Sequence, residues 1–75
     1  MAMLEERTRT SVAKVIEITA ESTQSFEDAI RRAVVKASES VHGMRSAWVA
    51  GQQVEIEDGK VVAYRVDLKV AFVLD

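Results

Sequence analysis

Val61-Val62-Ala63-Tyr64-Arg65-Val66-Asp67-Leu68-Lys69-Val70-Ala71-Phe72-Val73-Leu74 is the stretch on which the fold turns. Val62, Tyr64, Val66, Leu68, Val70, Phe72 and Leu74 fall on one side of a period-two pattern, and Arg65, Asp67 and Lys69 on the other. Side chains alternate across a strand, so this is a long strand with one wholly apolar face. Just upstream stands Glu57-Asp58-Gly59-Lys60. Asp-Gly tolerates positive φ at both central positions and so suits a tight type I′ hairpin turn. Ala47 to Ile56 is then the partner strand, weaker in pattern, with Gly51 marking a bulge.

Further back, Phe26, Ala29, Ile30, Ala33, Val34, Ala37 and Val41 recur at helical spacing and form one apolar stripe. Ser25 is the expected N-cap, with Asp28 three residues on as a shortened capping-box acid. Glu27 with Arg31 and Asp28 with Arg32 are acid-first pairs four residues apart, the favourable order on a helix. Gly43 is expected to stop this helix, with His42 as a cation at its end. Val12 to Ala20 reads as a strand, with Ile16, Ile18 and Ala20 on one face and Val15, Glu17 and Thr19 on the other. Residues 1–11 are polar and aperiodic and read as a flexible arm; residues 12–75 form one domain. The order is β-α-β-β, an α+β fold with one helix on one sheet face.

A chain of 75 residues holds one thin core. Such domains gain only about 3–5 kcal/mol from it and need a disulfide, a metal or self-association. There is no cysteine and one histidine, so association is the route left open. A second sheet face carrying Val15, Val49, Val61, Ala63, Ala71 and Val73 agrees with contact between copies. A net charge of −2 gives no basic face for nucleic acid. No apolar run approaches the roughly 20 residues of a membrane span, and the acidic start has no apolar signal core, so a cytoplasmic location is expected. No cysteine nucleophile, glycine-rich phosphate loop or Ser-His-Asp set is evident, and no enzyme activity is expected.

Three segments together resemble the dodecin family: Lys14-Val15-Ile16-Glu17-Ile18, Ser25-Phe26-Glu27-Asp28-Ala29-Ile30, and Glu57 through Leu74. The similarity covers nearly everything after Val12. It implies a three-stranded antiparallel sheet wrapped around one helix, twelve copies forming a hollow homo-dodecamer, and binding and storage of a flavin, FMN or riboflavin. Flavin-binding members stack the flavin on a tryptophan at the start of the second strand and present a glutamine from the third. In an ungapped alignment these positions fall on Ser46 and Arg65, a departure from the flavin pattern. Members lacking that tryptophan have been assigned cation binding, and Arg65 is similar to that branch. The alternative is therefore a flavin-less assembly acting as a cation-binding or structural module.

Trp48, two residues past Ser46, shares its strand face, displaced by about 7 Å. It is the expected stacking surface, with Gln52 further along the strand as a hydrogen-bonding partner for the ligand's polar edge, and Gln53 beside it. The ligand-binding candidates are thus Trp48, Gln52, Ser46 and Arg65. Arg65, Asp67 and Lys69 are expected chiefly in cross-strand ion pairs, with an anion site anchored on Arg65 as the alternative. Glu55, Glu57 and Asp58 are oxygen donors near a turn, without the spacing of a calcium loop. Phe72 and Leu68 are expected as core anchors opposite Ile30 and Val34.

Overall fold

The computed structural model describes residues 12–74. The expected arm over 1–11 lies outside the described residues. The elements run β1 (Val12–Ser22), α1 (Phe26–Ser38), β2 (Met44–Glu57) and β3 (Lys60–Leu74). The sheet is antiparallel throughout, in the order β1-β3-β2, so the strictly alternating strand is the central one. That placement follows from chemistry: only β3 has an apolar face long enough to serve both neighbours and the helix. No described helix is long and apolar enough to cross a membrane.

In the β1–β3 ladder, Ile16 lies opposite Val70, Ile18 opposite Leu68 and Ala20 opposite Val66. These are the inner-face residues of both strands. The helix lies over β1 and β3 and closes a core of Ala29, Ala33, Val66, Leu68 and Val70. Ile16, Ile18, Ala20, Phe26, Ile30 and Met44 pack around it. Leu68 is an anchor as expected, but Phe72 is only half-buried within the chain. Its helix-side partner Val34 is 37% exposed, and the small Ala29 and Ala33 meet the sheet instead. Alanines let the helix approach closely, and this brings the central strand residues, not the terminal ones, under it.

The helix start is built more tightly than expected. Ser25 Oγ accepts from the Asp28 backbone N–H at 2.9 Å, as a cap should. The Asp28 carboxylate turns to Ser22, whose buried hydroxyl donates to Asp28 Oδ2 at 2.6 Å. Ser22 Oγ in turn accepts from the backbone N–H groups of Gln24 and Ser25. One hydroxyl thus joins the last residue of β1, the turn and the first helical turn.

The helix ends at Ser38, before the expected stop. Ser38 Oγ donates to the Val35 carbonyl, and Glu39 and Ser40 close the last turn through their backbone N–H groups. Gly43 has φ +75°, but it serves the entry to β2: its carbonyl accepts from the Val73 N–H at 3.1 Å. His42 is exposed and stands past the helix end, where Lys36 is the last-turn base. At the hairpin, Asp58 and Gly59 have φ of 52° and 77°, the two positive values that a type I′ turn requires.

Candidate functional site

The outer sheet face, away from α1, carries the chemistry. Directly opposed residues share a face, so the ladders give its rows. Glu17, Lys69 and Trp48 form one row; Thr19, Asp67 and Gly51 the next; Glu21, Arg65 and Gln53 a third. Ser46 lies opposite Ala71, one row beyond Trp48 and beside Val15.

Trp48 is 48% exposed on this face. Arg65 lies about 13 Å away along β3, four residues at ordinary strand rise. One guanidinium nitrogen of Arg65, Nη2, donates to Glu21 Oε1 and to Glu55 Oε2, each at 3.0 Å. The ion pairs expected of Arg65 are therefore made across all three strands. The carboxylates are about half exposed, so screening keeps the stabilisation small. The arrangement fixes the guanidinium between two acids, and the anion site considered for Arg65 is filled by the chain's own carboxylates. Between Trp48 and Arg65, Thr19 Oγ1 donates to Asp67 Oδ1 at 3.0 Å. Asp67 Oδ2 stands 3.4 Å from where a Cβ on Gly51 would lie. Glycine there lets the carboxylate settle against the strand.

A register shift lies between Val49 and Gly51, at the bulge that Gly51 suggested. The extra residue, Ala50, reverses the alternation from Gly51 to Glu55, where a second shift, between Glu55 and Ile56, restores it. Val49 falls opposite Leu68 and belongs to the inner face, not the outer one. Gln52 falls opposite Val66, also on the inner face, so it does not share a face with Trp48. Gln53 takes the outer position, opposite Arg65. Ser46, Trp48 and Arg65 are brought onto one face, and Gln52 is not. Glu21 is the site residue that strand-by-strand reading misses, and of the two glutamines considered it is Gln53, not Gln52, that lies on the face of Trp48. The signal for Gln53 was present in Gly51, had the bulge been carried through the residue count. Nothing local signals Glu21, which reaches Arg65 only through the β1–β3 pairing.

The face around Trp48 is open. Two concavities among the described residues lie away from Trp48: a groove of about 1100 Å³ between α1 and β1, and a cleft of about 230 Å³ bordered by Val34, Met44, Val70 and the candidate Ser46. Ligand sites are concave, so a ligand on the outer face needs a second copy as its roof. The acidic side chains do not by themselves make a cation cage. Among the described residues no group of three or more acids, histidines or cysteines is close enough to hold a metal ion.

Comparison with known proteins places this geometry in context. The family model Dodecin matches residues 12–75. A curated relative, the calcium dodecin of Mycobacterium tuberculosis, is 39% identical over 62 residues, covering 83% of this chain and 87% of the relative. Its crystal structure, described as that of a calcium-chelating antigen with a novel calcium-binding site, superposes with a TM-score of 0.74 over 87% of this chain and 93% of that one. The dodecin of Streptomyces coelicolor, at 30% identity, superposes with a TM-score of 0.83 over 88% of this chain and 94% of that one.

Proposed function

The chain belongs to the dodecin family, and on that footing we propose that it is a storage or buffering protein. It assembles from identical copies, twelve by family likeness, and holds a small ligand between them on the outer sheet face. The favoured ligand is a divalent cation. The observation that carries this reading is the 39% identity, over most of both chains, to a relative named for calcium. Ser46 and Arg65, at the flavin-signature positions, agree with it. Glu17, Glu21, Glu55 and Asp67 supply hard oxygen donors on one face, against Arg65 and Lys69 as its bases. Calcium takes six to eight oxygens, more than one copy brings together, so the coordination shell is completed across an interface. No catalytic step belongs to this proposal.

Calorimetric titration of the chelator-stripped assembly with calcium tests it. Saturable uptake, weaker for magnesium, is expected. An assembled protein that takes up neither ion rules out the cation reading.

A second reading, FMN or riboflavin, has its own support in Trp48, which presents a half-exposed aromatic surface on the face that also carries Gln53. A flavin is a large flat π-system and needs such a surface. Yellow purified protein, with flavin fluorescence quenched in the native chain and restored in Trp48→Ala, would support it. Quenching that persists in Trp48→Ala would exclude Trp48 as the stacking residue.

A further inference from the structure

The chain has no asparagine, and its aspartates stand in very different settings. Asp28 lies inside α1 ahead of Ala29, and Asp67 inside β3 ahead of Leu68. Asp75 lies outside the described residues. Of the described aspartates, Asp58 alone lies in a turn, and it alone is followed by glycine. Both Asp58 and Gly59 are exposed, and nothing lies within 4 Å of where a Cβ on Gly59 would stand. The Gly59 nitrogen is therefore unshielded by any side chain of its own or of a neighbour. Bonding it to the Asp58 carboxyl carbon would close an unstrained five-membered ring.

The closed turn holds these two atoms apart. Asp58 and Gly59 have the paired positive φ of a type I′ turn, 52° and 77°. Such a turn has ψ of about +30° at its first central residue, which puts the next backbone nitrogen on the side of Cα away from Cβ. Ring closure must wait until the turn opens.

The tip can open without the rest of the sheet. β1 ends opposite Tyr64, so Lys60 to Val62 have β2 as their one neighbouring strand. A register shift between Glu55 and Ile56 separates the tip from the ladder below it. Beyond that shift stand the pairs Ile56–Val61 and Glu57–Lys60. Ile56 is 62% exposed and Val61 49%, so opening uncovers little further apolar surface. A two-stranded ribbon is marginal by itself, and such segments open at far less cost than the whole domain unfolds. The positive φ of Asp58, a residue with a Cβ, adds strain that opening releases.

We propose that Asp58–Gly59 is a site of spontaneous backbone isomerisation, gated by opening of the hairpin tip. In the opened turn the Gly59 nitrogen attacks Cγ of the uncharged Asp58 carboxyl. The N–Cγ bond forms, the Cγ–OH bond breaks, and the hydroxyl leaves with the Gly59 amide proton as water. Water then reopens the cyclic imide at either carbonyl. Cleavage at Cγ returns aspartate, and cleavage at the backbone carbonyl leaves a β-linked isoaspartate of the same mass. The β-linked product has one more carbon in the backbone at position 58, which a two-residue I′ turn cannot accommodate. Ile56–Val61 and Glu57–Lys60 are then the first pairs to lose register.

The test is prolonged warm incubation of the full native chain beside the urea-unfolded chain, followed by trypsin. Cleavage after Arg45 and Lys60 isolates peptide 46–60. Isoaspartate at position 58 appears there as a second peak of equal mass, resistant to a protease that cuts before aspartate. It is expected in the native protein at about a tenth of the unfolded rate, the share of time a weakly held tip stands open. Asp58→Glu, whose ring would be six-membered, is expected to give no second peak. Isomerised protein separated from the native form should melt at a lower temperature. A native chain unmodified at Asp58 while the unfolded chain isomerises overturns the proposal, as does modification at Asp28 or Asp67 instead. Equal rates in the two states overturn the gating by the turn.

Discussion

Gln53 stands directly opposite Arg65 across the β2–β3 ladder, on the face that carries Trp48, and its neighbour Gln52 stands opposite Val66 on the face that carries the core. The single extra residue at Ala50 produces this assignment. A ligand lying across the outer face from Trp48 therefore meets the Gln53 amide and not that of Gln52.

Gln53→Ala is expected to weaken such a ligand by about three- to tenfold, the loss of one ordinary hydrogen bond, with Gln52→Ala close to native. Titration of calcium and of FMN, followed by Trp48 fluorescence, distinguishes the two. A larger effect from Gln52→Ala would mean that the bulge is absent in the assembled protein.

Leu68 is 1% exposed and sits where β1, β3 and α1 meet. Leu68→Ala is expected to cost about 2–5 kcal/mol, the transfer loss plus the cavity left behind. Thermal or denaturant unfolding at fixed protein concentration measures it. An unchanged midpoint would place the core elsewhere.

Asp28 gives a pH dependence with a definite sign. The Ser22 hydroxyl bound to its carboxylate, with Arg32 second, holds its pKa below the ordinary 3.8. The charged form is thus favoured by folding, and the stabilisation is complete above pH 3.8 and fades as the pH falls through the lower folded value. Urea unfolding of the native chain and of Asp28→Asn, from neutral pH down to about 2, is expected to show a stability gap that narrows only below 3.8. Ser22→Ala should narrow that gap at neutral pH, since it removes the largest cause. A gap independent of pH would mean that the carboxylate is not held by this network.

Gly59 has φ +77° and nothing within 4 Å of where a Cβ would lie. Replacement there is a test of backbone strain alone. Gly59→Val is expected to cost about 1–2 kcal/mol or more, because a β-branched residue fits positive φ poorly. Gly59→Asn should cost little. Equal stability of the two variants would sink the type I′ turn.

The rest of the architecture divides by the range of the forces that set it. The alternation of β3 and the Asp-Gly turn are local regularities of a few residues, and the Ser25 cap and the stripe through Ala29 and Ala33 are likewise. All are present in the order of the amino acids, and the structure has them where that order puts them. The helix end differs from the expected stop at Gly43, because Ser38 and Glu39 already close the last turn through local bonds.

What the sequence by itself determined is the β-α-β-β order and the core face of the central strand. What only the tertiary structure decided is which side chains meet on the outer face. A strand's period of two is lost at one inserted residue, and whether Ala50 counts as that insertion depends on its pairing with β3. Glu21 meets Arg65 across 44 residues of chain, through a ladder whose register is set by burying Ile16, Ile18 and Ala20 beneath the helix. The energy that fixes the register is apolar burial on one face, and the polar partners on the other face follow from it.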